Sequence, residues 1–120
     1  MSKSGSILIA EDESIIALDI ISILKKSGYT NVNHVSYGEA LFDKVLENPP
    51  SLIIIDIFLK GKDSGFEIAQ KIWRSHDIPV IFISGMDNID LKKKLDLYRC
   101  DFIKKPFNES DLLTAVKKFL

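Results

Sequence analysis

Short apolar runs alternate along the chain with longer segments in which apolar residues recur every three or four positions. The runs are rich in Ile and Val, which suits strands that are buried on both faces of a sheet. The longer segments have the period of amphipathic helices that cover such a sheet. The pattern therefore predicts five β-α units and a parallel sheet between two layers of helices.

The predicted elements run from Ser6 to the C-terminus. The strands are expected at about Ser6–Ala10, Val32–Ser36, Leu52–Asp56, Val80–Ser84 and Asp101–Lys104. The helices are expected at about Glu13–Ser27, Gly38–Glu47, Phe66–Arg74 and Asn88–Tyr98, with a last helix that Asn108 caps at its N-terminus. Pro49 and Pro50 end the second helix, because proline lacks an amide donor and restricts the residue before it.

Polar residues stand where the apolar runs end. Glu11 and Asp12 follow the first run, Asp56 closes the third, and Ser84 closes the fourth. Burying a charge that has no function costs several kcal/mol, so these carboxylates are expected to face a site. In open α/β sheets, ligands bind beyond the carboxyl ends of the parallel strands. We therefore expect these residues to meet at one place although they are distant in sequence.

The acidic residues at this edge predict a bound cation. Two carboxylates about 4 Å apart repel by roughly 4 kcal/mol at an effective dielectric constant near 20. Oxygen ligands without His or Cys favour a hard cation, and one or two carboxylates with water suit Mg²⁺. Lys105, after the fifth run, can place a positive charge for an anion over the same edge, and Ser84 offers a hydroxyl. These groups together favour phosphoryl transfer onto a carboxylate.

Length and composition narrow the class of protein. The chain has 120 residues, and its 16 basic and 17 acidic residues give a net charge of -1. Such a balance offers no positive field for nucleic acid or for an anionic membrane, so neither is an expected partner. Residues 6–120 are predicted to form one domain, and residues 1–5 a disordered N-terminus or a remnant left by expression.

The expected compartment is the cytoplasm. The single cysteine, Cys100, cannot form an internal disulfide, and the N-terminus lacks the apolar core of a signal peptide. The apolar runs are also shorter than the roughly 20 residues that span a bilayer.

Several motifs, in combination and in this order, resemble the receiver domain of two-component response regulators. The motifs are Glu11-Asp12, Asp56, Ser84-Gly85 and Lys105-Pro106-Phe107. The resemblance extends from about Ser6 to Leu120. It implies a three-layer (βα)5 flavodoxin-like fold with five parallel strands in the order 2-1-3-4-5.

The resemblance also implies a phosphoacceptor and a metal site. Asp56 would become 4-aspartylphosphate by taking a phosphoryl group from a phosphohistidine of a histidine kinase or a histidine phosphotransfer protein. Glu11, Asp12 and Asp56 would hold Mg²⁺ together with the main-chain carbonyl of Phe58. The downstream output domain or protein is not identified by the sequence.

A switch is implied as well. Ser84 and Lys105 would contact the phosphoryl oxygens, and Phe102 occupies the position of an aromatic side chain that moves inward as Ser84 is drawn to the phosphate. The change would be relayed to the face made by the fourth helix, the fifth strand and the fifth helix.

Three features depart from the usual pattern of the family. Eight residues separate Asp56 from Gly65 where many receivers have seven, and Lys60 stands where proline is common. Arg99-Cys100 replaces the usual Gly-Ala before the fifth strand.

The same residues bear on three other classes of function. A phosphohydrolase with an aspartyl nucleophile normally has an acidic residue two positions further on, where this chain has Phe58. A degenerate receiver that acts as a phosphorylation-independent interaction module is expected to lose the acidic cluster or the lysine, and this chain keeps both. A dinucleotide-binding domain would have G-x-G-x-x-G after the first strand, which is missing.

The chain is accordingly not expected to be an enzyme beyond its own phosphorylation and a slow autodephosphorylation. Phe58 and Met86 stand at the two positions that flank the path of the attacking water in this family. Both are apolar, so neither can orient that water.

Overall fold

The computed structural model describes residues 3–59, 61–85 and 98–120. The strands are β1 (Lys3–Ala10), β2 (Tyr29–Val35), β3 (Leu52–Asp56), β4 (Val80–Ser84) and β5 (Cys100–Lys104). The helices are α1 (Ser14–Lys26), α2 (Gly38–Glu47), α3 (Gly65–Trp73) and the C-terminal helix (Glu109–Phe119). The strands pair in parallel in the order β2-β1-β3-β4-β5, which confirms the predicted sheet.

The first two strands begin earlier than predicted. β1 starts at Lys3 rather than Ser6, and β2 starts at Tyr29 rather than Val32. The two strands pair from Lys3 and Tyr29 onward, with a shift of register between Lys3 and Ser6 where Gly5 has a φ of 101°. Such an irregularity lets polar residues join a ladder without fitting its alternation.

Residues 1, 2, 60 and 86–97 lie outside the described residues, and with them Met86 and nearly all of the predicted fourth helix.

The sheet separates two apolar layers. One layer joins the sheet to α1 and the C-terminal helix, and the other joins it to α2 and α3. All five residues of β3 and all five of β4 are buried, as expected for central strands of a parallel sheet. Asp56 and Ser84 are therefore the polar ends of otherwise apolar, fully covered strands.

Capping motifs set where two of the helices begin. Asn108 accepts a hydrogen bond from the Asp111 amide at 2.8 Å, and Asp111 accepts one from the Asn108 amide, which confirms Asn108 as the N-cap. Ser64 and Glu67 form the same reciprocal arrangement before α3. A capping box satisfies two amides that the first helical turn leaves free, so the loop after β3 has a defined end at Ser64.

Trp73, at the end of α3, is packed on three sides. Its ring meets Phe82 of β4 edge-on at 6.0 Å and stacks on Tyr98 at 4.2 Å. Its indole nitrogen donates to the Ile78 carbonyl at 2.8 Å. This arrangement joins α3 to the residues that lead into β5.

None of the described helices is long and apolar enough to span a membrane.

Candidate functional site

The ends of β1, β3 and β4 bring four predicted site residues to one edge of the sheet. Glu11, Asp56 and Ser84 are 1%, 5% and 2% exposed, and Asp12 is half-buried. Glu11, Asp12 and Asp56 each place a carboxylate oxygen within 4.8 Å of the other two. The convergence that the strand ends predicted is therefore present in the structure.

Lys105 reaches into this group of carboxylates from the residue after β5. Its Nζ donates to Asp56 Oδ2 at 2.8 Å and lies 3.3 Å from Glu11 Oε2. Glu13, an exposed residue that sequence reasoning missed, places Oε1 3.9 Å from the same nitrogen. The Lys105 amide donates to the Ser84 carbonyl at 2.7 Å, which fixes the lysine beside the end of β4.

The charge of Lys105 is maintained by its neighbours. Burial by itself lowers the pKa of this ammonium, because the charged form loses water. The hydrogen bond to Asp56 and the charges of Asp56 and Glu11 outweigh burial, so the pKa lies above its ordinary value. Lys105 is therefore a cation at neutral pH, but one ammonium does not balance the carboxylates around it.

Asp56 is held at the end of β3 by contacts to both carboxylate oxygens. Oδ1 accepts a hydrogen bond from the Phe58 amide at 2.9 Å, and Oδ2 accepts the bond from Lys105. The Leu59 amide donates to the Asp56 carbonyl at 3.2 Å, so the chain turns directly after the strand. Each carboxylate oxygen has a second lone pair, which can serve a metal ion or an electrophile.

The carboxylate of Glu11 makes fewer hydrogen bonds than that of Asp56. Its Oε1 accepts from the Glu13 amide at 3.1 Å, whereas the buried Oε2 has no hydrogen bond within the described residues and meets Lys105 Nζ only as an ion pair at 3.3 Å. Burial, and after it the charge of Asp56, raises the pKa of Glu11 to about 7, although the Glu13 amide and Lys105 act in the opposite direction. Glu11 thus takes part in proton uptake close to neutral pH.

The donor set fits Mg²⁺. All the side-chain atoms are carboxylate oxygens, and one of them is a buried oxygen without a donor. Mg²⁺ binds oxygens at about 2.1 Å, so ligands on opposite sides of the ion are roughly 4 Å apart. The carboxylate oxygens of the cluster lie within 4.8 Å of one another, which is a range that one ion can bridge. These residues can hold the ion, and the contribution of the Phe58 carbonyl stays a prediction.

We expect stability without metal to fall as the pH rises from about 4.5 to 7 because of Glu11. Unfolded Glu11 loses its proton near 4.5 and folded Glu11 near 7, so the folded state binds more protons in this window. A shift of this size corresponds to roughly 3 kcal/mol. Urea unfolding of the parent and of Glu11→Gln across this window, with a chelator present, isolates the effect as the difference between the two curves. If the free energies of unfolding of the parent and of Glu11→Gln differ by the same amount at every pH in this window, the raised pKa does not belong to Glu11.

The predicted switch residues lie on neighbouring strands. Ser84 of β4 stands opposite Lys104, and Phe82 of β4 stands opposite Phe102 of β5. Phe102 is half-buried and packs against the apolar layer of α2 and α3. The Phe58 side chain is 60% exposed, at the entrance to the site. The switching role of Ser84 and Phe102 remains a prediction.

The long loop after Asp56 makes several contacts with the helices beside it. Leu59 is buried in the apolar layer, the Lys62 amide donates to Glu39 Oε1 of α2 at 3.2 Å, and Asp63 pairs with Lys71 of α3. These contacts hold the described part of the eight-residue loop against two helices.

The loop ends where α3 touches β3. The Gly65 amide donates to the Ile57 carbonyl at 2.9 Å. A Cβ atom at Gly65 would lie 2.3 Å from the Asp56 carbonyl oxygen and 3.0 Å from Ile57 Cα. Only glycine permits this approach, so the backbone of the phosphoacceptor candidate is positioned by the start of α3.

His34 of β2 also contacts this edge of the sheet. Its Nε2 lies 2.7 Å from the Glu11 carbonyl oxygen. The strand register could have indicated this contact, because His34 pairs with Ile9, two residues before Glu11. The sequence does not show, however, that the imidazole turns along the strand toward the site.

Comparison with known proteins identifies the family. The sequence model of the response regulator receiver domain matches residues 7–117. Response regulator RR06 of Streptococcus pneumoniae is 34% identical over 116 residues, which is 96% of this chain and 52% of that protein. The chain therefore belongs to the receiver domain family of two-component response regulators, and it spans about half the length of this curated relative.

Solved structures agree with this assignment. The receiver domain of NtrX from Brucella abortus superposes with a TM-score of 0.86 at 27% identity and covers 96% of this chain and 98% of that one. The signal receiver domain of a modulated diguanylate cyclase from Desulfovibrio desulfuricans has a TM-score of 0.84 at 21% identity, with 98% and 94% covered, and supports the fold alone. The predicted flavodoxin-like receiver fold is confirmed.

Proposed function

We propose that this receiver domain accepts a phosphoryl group on Asp56 from a phosphohistidine, in the presence of Mg²⁺. The observation that carries the proposal is the environment of Asp56. Its two oxygens are held by the Phe58 amide and by Lys105 Nζ at 2.9 and 2.8 Å, beside the carboxylates of Glu11 and Asp12. A nucleophile, a fixed cation and a metal-binding cluster thus share one edge of the sheet.

In the proposed reaction, an Asp56 oxygen forms a bond to phosphorus while the bond from phosphorus to the histidine nitrogen breaks. The imidazole leaves with the electron pair, and the product is an acyl phosphate on Asp56. Lys105 and the Ser84 hydroxyl bind phosphoryl oxygens and offset their charge. Glu11, Asp12, Asp56 and the Phe58 carbonyl would hold Mg²⁺, and the bound ion would supply further neutralisation of the phosphoryl oxygens.

Phosphorylation would then change what Lys105 contacts. At rest, its ammonium bridges Asp56 Oδ2 and Glu11 Oε2. A phosphoryl group on Asp56 offers it new oxygens and draws Ser84 in the same direction, and Phe102 follows from the neighbouring strand. The face that includes β5 and the C-terminal helix would carry the change to an output partner. A ligand shifts such an equilibrium only through contacts that differ between the two states, and Lys105 supplies one.

The partners follow from this role. A histidine kinase or a histidine phosphotransfer protein would donate the group, and an output domain or protein would read the altered face. The domain would not act on a separate substrate. Its own hydrolysis of the acyl phosphate would be slow, because the side chain two residues after Asp56 is the apolar Phe58, which cannot orient water.

Incubation with a small acyl phosphate and Mg²⁺ is expected to add one phosphoryl group per chain, observed by intact-protein mass spectrometry. The adduct should survive acid and be released by hydroxylamine, as an acyl phosphate is. Asp12→Ala should slow its formation at least tenfold at limiting Mg²⁺, because losing a ligand or its support typically costs 10–100-fold in metal affinity.

The exposed Asp43→Ala on α2 is the matched control and should react as the parent does. An adduct that resists hydroxylamine would place the group elsewhere and contradict the proposal. Formation that is unaffected by a chelator would contradict the metal site.

A further inference from the structure

The imidazole of His34 takes the place of a backbone donor where the β1–β2 ladder ends. The ladder pairs residues up to Ala10 and Val35, and the Glu11 amide donates to the Val35 carbonyl at 3.1 Å. The Glu11 carbonyl is bonded instead by His34 Nε2 at 2.7 Å. A carbonyl oxygen can only accept, so Nε2 carries the hydrogen. Both backbone polar groups of Glu11 are thus tied to β2.

This bond fixes more than one atom. The carbonyl of Glu11 and the amide of Asp12 belong to the same rigid peptide plane, which includes both Cα atoms. A donor that fixes the direction of the carbonyl therefore fixes the direction in which the chain leaves β1. The carboxylates of Glu11 and Asp12 both start from that plane.

We propose that His34 is a positioning residue for the metal site, acting through the peptide between Glu11 and Asp12. The inference rests on the proposed function, in which these two carboxylates hold Mg²⁺. Mg²⁺ tolerates little departure from octahedral geometry, so a tilt of this peptide would weaken binding without removing a ligand. Groups that orient metal ligands typically contribute 10–100-fold to metal affinity.

The geometry separates His34 from its neighbours on β2. His34 is half-buried, whereas Asn33 is exposed and its amide donates to Asn31 on the same strand at 3.1 Å. Asn33→Ala is therefore a matched control on the same strand, one residue from His34. A change of strand stability would affect both variants, whereas a change of peptide orientation would affect His34 alone.

The test is the dissociation constant of Mg²⁺, measured by isothermal titration calorimetry on the parent, His34→Ala, His34→Gln and Asn33→Ala. His34→Ala is expected to raise it about tenfold. His34→Gln should restore it to within about threefold, because its amide nitrogen can reach the position of Nε2. Asn33→Ala should equal the parent, and thermal melts in chelator show that each variant is folded.

Should His34→Ala fail to fold, His34→Asn replaces it in the comparison. Its shorter side chain places the amide nitrogen near the position of Nδ1, which does not reach the Glu11 carbonyl. Weak binding by the Asn variant and recovery by the Gln variant would support the inference. Equal binding by both, or a His34→Ala variant that binds as the parent does, would overturn it and leave the metal site standing. A parent that does not bind Mg²⁺ would overturn the metal site as well.

Discussion

Replacing Asp56 with Asn is expected to abolish phosphorylation while the domain stays folded. The amide is nearly the same size as the carboxylate and can still accept the hydrogen bond from the Phe58 amide through its oxygen. It is, however, a poor nucleophile, and it removes the negative charge that Lys105 contacts at 2.8 Å.

The same change should not destabilise the protein at neutral pH. Asp56 lies in a cluster where three carboxylates approach within 4.8 Å, and its charge raises the pKa of Glu11. Its loss relieves that repulsion, and Lys105 keeps Glu11 as a partner at 3.3 Å. We therefore expect the melting temperature without metal to be equal to or above that of the parent, and the pKa of Glu11 to fall.

Asp101→Asn is the control for this experiment. Asp101 lies on β5 and pairs with Lys118 at 2.7 Å, away from the three-carboxylate cluster. The measurement is incorporation of radiolabelled phosphoryl groups from an acyl phosphate, with melts of each variant in parallel. Residual labelling of Asp56→Asn at the parental level would place the phosphoacceptor elsewhere.

Gly65→Ala is expected to reduce both stability and phosphorylation. The added Cβ would lie 2.3 Å from the carbonyl oxygen of Asp56, and the contact is with backbone rather than with a flexible side chain. Either the start of α3 or the end of β3 must move. Overpacking of this kind typically costs 1–3 kcal/mol, and here about 2 kcal/mol or more is expected because neither partner can rotate away.

The functional effect should exceed the effect on stability. The atom that the new methyl group displaces belongs to Asp56 itself, so the carboxylate shifts relative to Lys105 and Glu11. Small displacements of reacting groups reduce rates strongly, and we expect phosphorylation to slow by about 100-fold.

Gly85→Ala is a matched control for the glycine substitution. Gly85 follows Ser84 at the same edge of the sheet, and a Cβ there would meet no atom of the described residues within 4 Å. Denaturant unfolding and phosphorylation rates of both variants separate the two predictions. A Gly65→Ala protein as stable and as reactive as Gly85→Ala would show that the close approach to β3 does not matter.

The sheet and the strand ends were predictable because buried parallel strands leave a strong signal. Their faces are both apolar, so a polar residue such as Asp56 or Ser84 marks the point where the strand stops. The start of β1 was not predictable in the same way. Gly5 and the serines beside it show no apolar alternation, and their pairing with β2 depends on an irregular register.

The candidate site was predicted as a set of residues but not as a network of contacts. Strand order brings Glu11, Asp56 and Lys105 together, since the carboxyl ends of parallel strands share one edge. The contact of Glu13 depends on how its side chain turns after β1 has ended, and the contact of His34 depends on how its imidazole turns within β2. By contrast, the spacing of Ser64 and Glu67 in the sequence is that of a capping box, and the structure forms one.

Trp73 gives the domain an optical probe of the proposed activation. It is the only tryptophan, and its ring touches Phe82, which lies two residues before Ser84 on the same strand. Its other face stacks on Tyr98 at 4.2 Å, on the path into β5. A displacement of β4 against β5 would alter the packing of the indole and hence its emission. The protein can therefore be followed in real time without a label, and stopped-flow fluorescence can time the response to a phosphoryl donor.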